Sequence, residues 1–202
     1  MPMSRPPFAL AMALCLACSP ALAADPSPED LLKQAQAEQA HYLDTLKTLV
    51  SVDTGTGTEP GLRQVSGELV KRLKALGAEV QTHPAKPSVG DNIVGTFKGT
   101  GSKDFLLMVH YDTVFVPGTV AKRPFRIEGE RAYGPGVADA KGGVAMILHA
   151  HKLLQDQQFK GYRTLTVLFN PDEEMGSAGS KQIIAELARK HDYVFSYEAP
   201  HK

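Results

Sequence analysis

Three near-continuous apolar runs, residues 105–109, 165–169 and 193–197, constrain the fold of this chain more than any other feature. A strand that is apolar at successive positions is covered on both faces, the situation of a mainly parallel sheet with helices on either side. Segments of helical period lie between the runs. Val144, Ile147, Leu148 and Leu154 mark one crossover helix, and Ile183, Ile184 and Leu187 mark another. The order strand, helix, strand, helix, strand predicts the α/β class, with a mainly parallel central sheet flanked by helices. Residues 92–98 alternate as a half-buried strand, and residues 125–133 alternate around Glu128-Gly129-Glu130 as an inserted hairpin. Upstream, Ser27-Pro28-Glu29-Asp30 supplies the cap, the N1 proline and the early acids of a helix start. Tyr42, Leu43, Leu46, Leu49 and Val50 follow at helical spacing, as do Val65, Leu69, Leu73 and Leu76 before a stop at Gly77. Two amphipathic helices therefore precede the first strands.

Residues 1–23 read as a secretory signal. Arg5 gives a positive start, residues 8–17 an apolar stretch too short to span a bilayer, and Ala21-Leu22-Ala23 a cleavage site before Ala24. Lipidation at Cys18 is the alternative, although Cys15-Leu16-Ala17 matches a lipobox poorly. The expected location is periplasmic or secreted. Both cysteines, Cys15 and Cys18, fall inside the leader, so residues 24–202 have no thiol, and a metal site there must use histidine and carboxylates. Lys plus Arg and Asp plus Glu balance at 22 each with no basic block. That balance argues against a nucleic-acid surface, or a membrane surface after signal cleavage, and leaves a small molecule or peptide as the partner.

Each apolar run ends on residues that can bind metal. After LLMV come His110 and Asp112, two apart at a strand end, where an Asp can hold one ring nitrogen while the other binds metal. The plain alternative is a hydrogen-bonded His and a turn Asp. In GPGVADAKGG, glycines and a proline shape a loop around Asp139, which can offer two oxygens to two cations or simply cap the helix that begins near Gly142. After VLFNPD, adjacent Glu173 and Glu174 point in different directions, so one can bind metal while its neighbour addresses a water; a solvated acidic turn is the alternative. Glu198 closes YVFSYE at the same edge of the sheet. His149 and His151 fall on different helix faces and cannot chelate together, while His41, His83 and His191 stand alone on helices or loops; His201 is left out of the site. No G-x-G-x-x-G lies between a strand and a helix, which removes the dinucleotide reading, and the absence of a G-x-S-x-G elbow makes a serine hydrolase a poor third.

In this order the runs resemble the zinc-dependent exopeptidases related to aminoacylases and succinyl-diaminopimelate desuccinylase. The leader, GDNIVGTFKG, LLMVHYDTV, KRPFRIEGERAYGPGVADAKGG and VLFNPDEEMGS look most like periplasmic glutamate carboxypeptidases of the carboxypeptidase G type. The resemblance implies a zinc-exopeptidase-like catalytic domain with two zinc ions. One would be held by His110, Asp139 and Glu198, and the second by bridging Asp139, Glu174 and a histidine further downstream. Asp112 would orient His110, and Glu173 would be the general base. It also implies a small peptide or N-acyl amino acid substrate, with glutamate at its C-terminal end. Aminoacylase or dipeptidase activity is the alternative within the same class, and an inactive metal-binding fragment the alternative outside it. Ala140 departs from the second acid often found after the bridging aspartate. Residues 24–202 are expected to be the N-terminal part of the catalytic domain, C-terminally truncated, without the lid or dimerisation domain. Homodimers would then belong to the complete protein only, and the piece alone would be inactive.

Overall fold

The computed structural model describes residues 26–199. The leader and His201 lie outside them. The first helix, α1 (Pro28–Val50), starts where the cap signature places it: the Ser27 hydroxyl accepts the Asp30 N–H at 3.2 Å, and Pro28 occupies the first turn. Helix α2 (Glu59–Ala75) stops against Gly77, whose φ of +83° lets the chain reverse while the Ala78 N–H bonds back to Leu73. Strands β1 (Glu79–Pro84), β2 (Asp91–Lys98) and β3 (Asp104–His110) follow, then the one-turn helix α3 (Thr119–Lys122). The hairpin β4 (Arg126–Glu128) and β5 (Arg131–Tyr133) forms a separate two-stranded sheet, as its alternation predicts. A wide turn over Val137–Lys141 leads into α4 (Gly142–Asp156), then β6 (Thr164–Asn170), a tight turn over Glu173–Met175, α5 (Lys181–Ala188) and β7 (Tyr193–Ser196).

The main sheet has the order β1-β2-β6-β3-β7. The pairs β6/β3 and β3/β7 are parallel, and β1/β2 and β2/β6 are antiparallel. Four of the five strands therefore point the same way, with β2 alone reversed. Helices α2 and α4 cover one face, packing Leu62, Leu69, Leu73, Val144 and Ile147 against Ile93, Val109, Val167 and Phe169. Helix α5 covers the other, with Ile183, Ile184 and Leu187 against Val94, Leu106 and Leu168. Helix α1 forms an outer layer on α4 through Leu46, Val50 and Ala145. Parallel strands need crossovers, and right-handed crossovers running in opposite directions across a sheet put their helices on opposite faces. The α4 and α5 connections do so, and they leave the C-terminal ends of β3, β6 and β7 facing one open edge.

Three expectations need correction. Residues Asn92–Gly95 are buried in succession because β2 lies inside the sheet between β1 and β6, so it is more covered than a half-buried strand. Strand β7 is exposed along its length, with Phe195 at 49%, because it lies at the sheet edge and, among the described residues, pairs only with β3. His83 sits in strand β1, not on a helix or loop.

Candidate metal centre

Register brings the predicted residues together. His110 is the last residue of β3 and faces Asn170, the last of β6, so Glu173 and Glu174 emerge beside it one tight turn later. On the other side Met108 faces Ser196, and the Tyr197 N–H bonds to the Met108 carbonyl. Two further steps along both chains set Glu198 level with His110. Asp139 arrives from the turn before α4. The His110 Nε2 atom lies 3.0 Å from Asp139 Oδ1, 3.4 Å from Glu198 Oε1 and 3.8 Å from Glu173 Oε2. His110, Glu173 and Glu198 form one group of possible metal ligands, and His110, Asp139 and Glu174 another, with the ligand atoms of each group within 4.8 Å of one another. The imidazole is buried at the base, and the acids stand half-exposed around it. Glu173 stands farther from the imidazole than Asp139 or Glu198, yet close enough to count among the possible ligands.

Asp112 organises this edge. It is fully buried, and its Oδ1 lies 3.1 Å from His110 Nδ1 and accepts the Glu173 N–H at 3.1 Å. Its Oδ2 accepts the Thr56 hydroxyl at 2.6 Å and the Glu174 N–H at 3.2 Å. One carboxylate therefore orients the imidazole and clamps the backbone of both glutamates. Asp172, also fully buried, holds the turn from below: it accepts the Ser88 hydroxyl at 2.7 Å, the Gly179 N–H at 2.6 Å and the Ser180 hydroxyl. Lys141 is buried behind the Asp139 turn, and burial pushes its ammonium down to about 8 against the opposing charge of Asp53. Thr56, Asp172 and Lys141 are absent from the sequence-based site. Asp172 and Lys141 stand inside the quoted motifs, whereas nothing in the sequence marks Thr56.

The charges are consistent with a cation site. Burial disfavours a charged His110 ring, but the hydrogen bond and charge of Asp112, followed by the charges of Glu198 and Glu173, outweigh it and hold the ring at about 9. Burial raises Glu173, with Glu198, Asp112 and Asp139 adding to it against His110. Glu174 is raised by burial and by Asp139. Among the described residues, Asp139, Glu173 and Glu198 form ion pairs only with His110, so several carboxylates share one partial counter-charge. An imidazole nitrogen facing several carboxylates, with no thiol among the described residues, is a donor set that suits zinc. Three of the other histidines make structural contacts. His149 ties α4 to α1 through Glu38 at 2.7 Å and Thr45 at 2.8 Å, His151 stacks on Phe97, and His191 reaches Thr166 at 2.8 Å.

Known proteins resemble this chain in sequence and fold. Residues 106–201 match the model of Peptidase family M20/M25/M40. Carboxypeptidase G2 of Pseudomonas sp. (strain RS-16) is 50% identical over 169 residues, which are 83% of this chain and 41% of that protein. An acetylornithine deacetylase of Photorhabdus laumondii is 28% identical over 160 residues, 75% of this chain and 41% of that protein. The crystal structure of a tripeptidase from Staphylococcus aureus superposes with a TM-score of 0.68 at 26% identity, covering 81% of this chain and 44% of that one. The chain thus spans about two fifths of the length of the curated relatives it matches. In its fold and over residues 106–201 of its sequence, the chain is similar to peptidase family M20/M25/M40.

Proposed function

We propose that this chain carries the metal-binding part of a dizinc amidohydrolase that cleaves the amide bond next to a C-terminal amino acid, glutamate foremost, in a small peptide or N-acyl amino acid. The observation that carries the proposal is the convergence of one oriented imidazole and four carboxylates at the edge where β3, β6 and β7 end. The half-identical carboxypeptidase G2 supports the choice of a C-terminal residue as leaving group. In this reading His110, Asp139 and Glu198 hold one zinc, while Asp139 and Glu174 contribute to the second. Zinc bound there would polarise the scissile carbonyl and acidify a water molecule.

The chain's own groups do the rest. Asp112 takes the Nδ1 proton of His110 into a hydrogen bond, which holds the ring so that Nε2, bonded to Asp139 in this structure, would offer its lone pair to zinc once it gives up its proton. Glu173 is the general base. Its affinity for a proton is raised by burial and by its acidic neighbours, which suits a group that takes a proton from the attacking water and passes it to the leaving amine. Its backbone is fixed by Asp112, so the carboxylate keeps its aim while it titrates. Residues 24–202 would be part of the catalytic domain, exported through residues 1–23, with a homodimer formed by the complete protein.

A second reading, acyl-amino-acid or dipeptide hydrolysis with another leaving group, is favoured by the acetylornithine deacetylase match. A substrate panel run on the complete zinc-loaded protein separates the two. N-acyl glutamates hydrolysed well ahead of N-acetylornithine and neutral acyl amino acids support the first reading; the reverse order replaces it with the second, and no amide hydrolysis at all refutes both.

A further inference from the structure

Asp139 lacks direct support. Among the described residues the hydrogen bond of its carboxylate is the one to His110 Nε2, and the side chain is half-exposed. A ligand without a bracing hydrogen bond can hold its place only if its backbone is held. The turn of Val137–Lys141 departs from helical geometry at Asp139 and Ala140, so helix bonding does not hold it there.

Lys141 is bound at both ends. Its N–H bonds to the Gly136 carbonyl at 2.9 Å and closes the turn. Its side chain, 0% exposed, runs past Gly136 to donate from Nζ to the Val52 carbonyl at 2.9 Å. The passage is narrow: a Cβ on Gly136 would stand 3.2 Å from Lys141 Cδ and 2.7 Å from Thr113 Cγ2, and Gly136 has a φ of +79°. Beyond Val52, Asp53 is the charged neighbour of the ammonium, and its own oxygens accept the Gly118 and Val120 N–H groups at 2.7 and 2.9 Å. The ammonium therefore ties the Asp139 turn to the segment after α1, and Asp53 in that segment holds the loop after Asp112 through its own hydrogen bonds. A buried ammonium is costly, and an apolar side chain of the same length would fill the space without that cost.

We propose that Lys141 is a positioning residue, whose buried ammonium clamps the Asp139 turn to the segment after α1 and so sets Asp139 in place before metal binds. The inference rests on the metal-centre reading above. It is tested on the complete protein with Co(II), by titrating the metal-free form of the wild type, of Lys141→Met and of Leu69→Ala. Leu69 is a buried core residue of α2, an element that supplies none of the candidate ligands, and its truncation reports what general destabilisation does. The expected result is a 10- to 100-fold loss of cobalt affinity in Lys141→Met, about the range for a lost supporting contact, with altered visible bands. Leu69→Ala should lower the melting temperature yet keep wild-type affinity and spectrum. Amide exchange on the metal-free wild type gives a measurement that needs no variant, because a clamped turn protects the Val137 and Lys141 amides before metal is added.

Equal cobalt affinity in Lys141→Met and wild type overturns the clamp alone, as do amides that become protected only on metal addition. Equal losses in Lys141→Met and Leu69→Ala also overturn it, since general destabilisation then explains both. If the wild type takes up no cobalt, the metal-centre reading falls and the clamp falls with it. If Lys141→Met fails to fold, the exchange measurement decides.

Discussion

Replacing Asp112 by Asn should cost both stability and metal affinity, and the bonds of Asp112 set the size of the loss. The carboxylate accepts two donors on each oxygen: His110 Nδ1 and the Glu173 N–H on one, the Thr56 hydroxyl and the Glu174 N–H on the other. An Asn side chain of the same shape has one acceptor and one donor group. With its oxygen toward His110, the Thr56 hydroxyl can rotate to accept from the new amide, while the Glu174 N–H loses its acceptor. A buried donor left unpaired costs about 1–3 kcal/mol, and loss of the charge-assisted contact adds to that. A net loss of about 2 kcal/mol lowers the melting temperature by roughly 4–8 °C for a domain of this size. With the amide reversed, its NH₂ faces His110 Nδ1 and favours the tautomer that carries its proton on Nε2. That nitrogen is then no longer a metal ligand, and affinity should drop about 10- to 100-fold. Thermal unfolding by circular dichroism and a zinc competition titration measure the two effects. A melting temperature unchanged within about 1 °C, together with wild-type zinc affinity, would show that Asp112 does not hold the site together.

Three further outcomes are expected. In the complete enzyme, Glu173→Gln should keep metal content and lose about 10²–10⁴-fold in turnover, whereas Glu174→Gln should loosen one metal. Metal analysis giving the opposite pattern reverses the roles assigned to the two neighbours. Export should leave Ala24 as the first residue, which intact-mass analysis of the periplasmic fraction reads directly; a lipid-modified Cys18 is the opposing result. For His151, burial holds the ring down at about 4, so the folded form keeps it neutral where an unfolded histidine, near 6.5, takes up a proton. Its contribution to stability is therefore complete above about pH 6.5 and declines as the pH falls toward 4. His151→Phe, which preserves an aromatic ring against Phe97, should flatten that part of the stability profile measured by denaturant unfolding, and an unchanged slope between those pH values would contradict the assignment.

Strands and helices that bury a regular apolar stripe were legible, and elements held by other means were not. Helix α1 begins at its cap signature, and α4 and α5 coincide with the predicted crossovers, because periodicity there reports the face that packs. Strand β1 carries no such pattern. Its sequence, EVQTHP, is mostly polar and exposed, and it is held by the backbone ladder to β2. The continuous run of β7 suggested cover on both faces, yet apolar content cannot tell a central strand from an edge. That difference lies in the strand order β1-β2-β6-β3-β7.

The same distinction runs through the site. His110, Asp139, Glu173, Glu174 and Glu198 could be found because each follows an apolar strand or lies in a glycine-rich loop, and a shared sheet edge then brings their functional groups together. Their supports stayed hidden because they act across distance in the chain. Thr56 reaches Asp112 from the loop after α1, Ser88 reaches Asp172 from the segment before β2, and Lys141 reaches back to Val52. Local pattern marks a side chain that must face solvent or substrate. It does not mark one whose role is to bond a backbone carbonyl in another segment, because many residue types could serve there and only the fold decides which does. The positions of the acids are therefore readable from motifs, while their rigidity, on which a division of labour between adjacent Glu173 and Glu174 depends, is a property of the tertiary hydrogen bonds through Asp112 to both of their backbones.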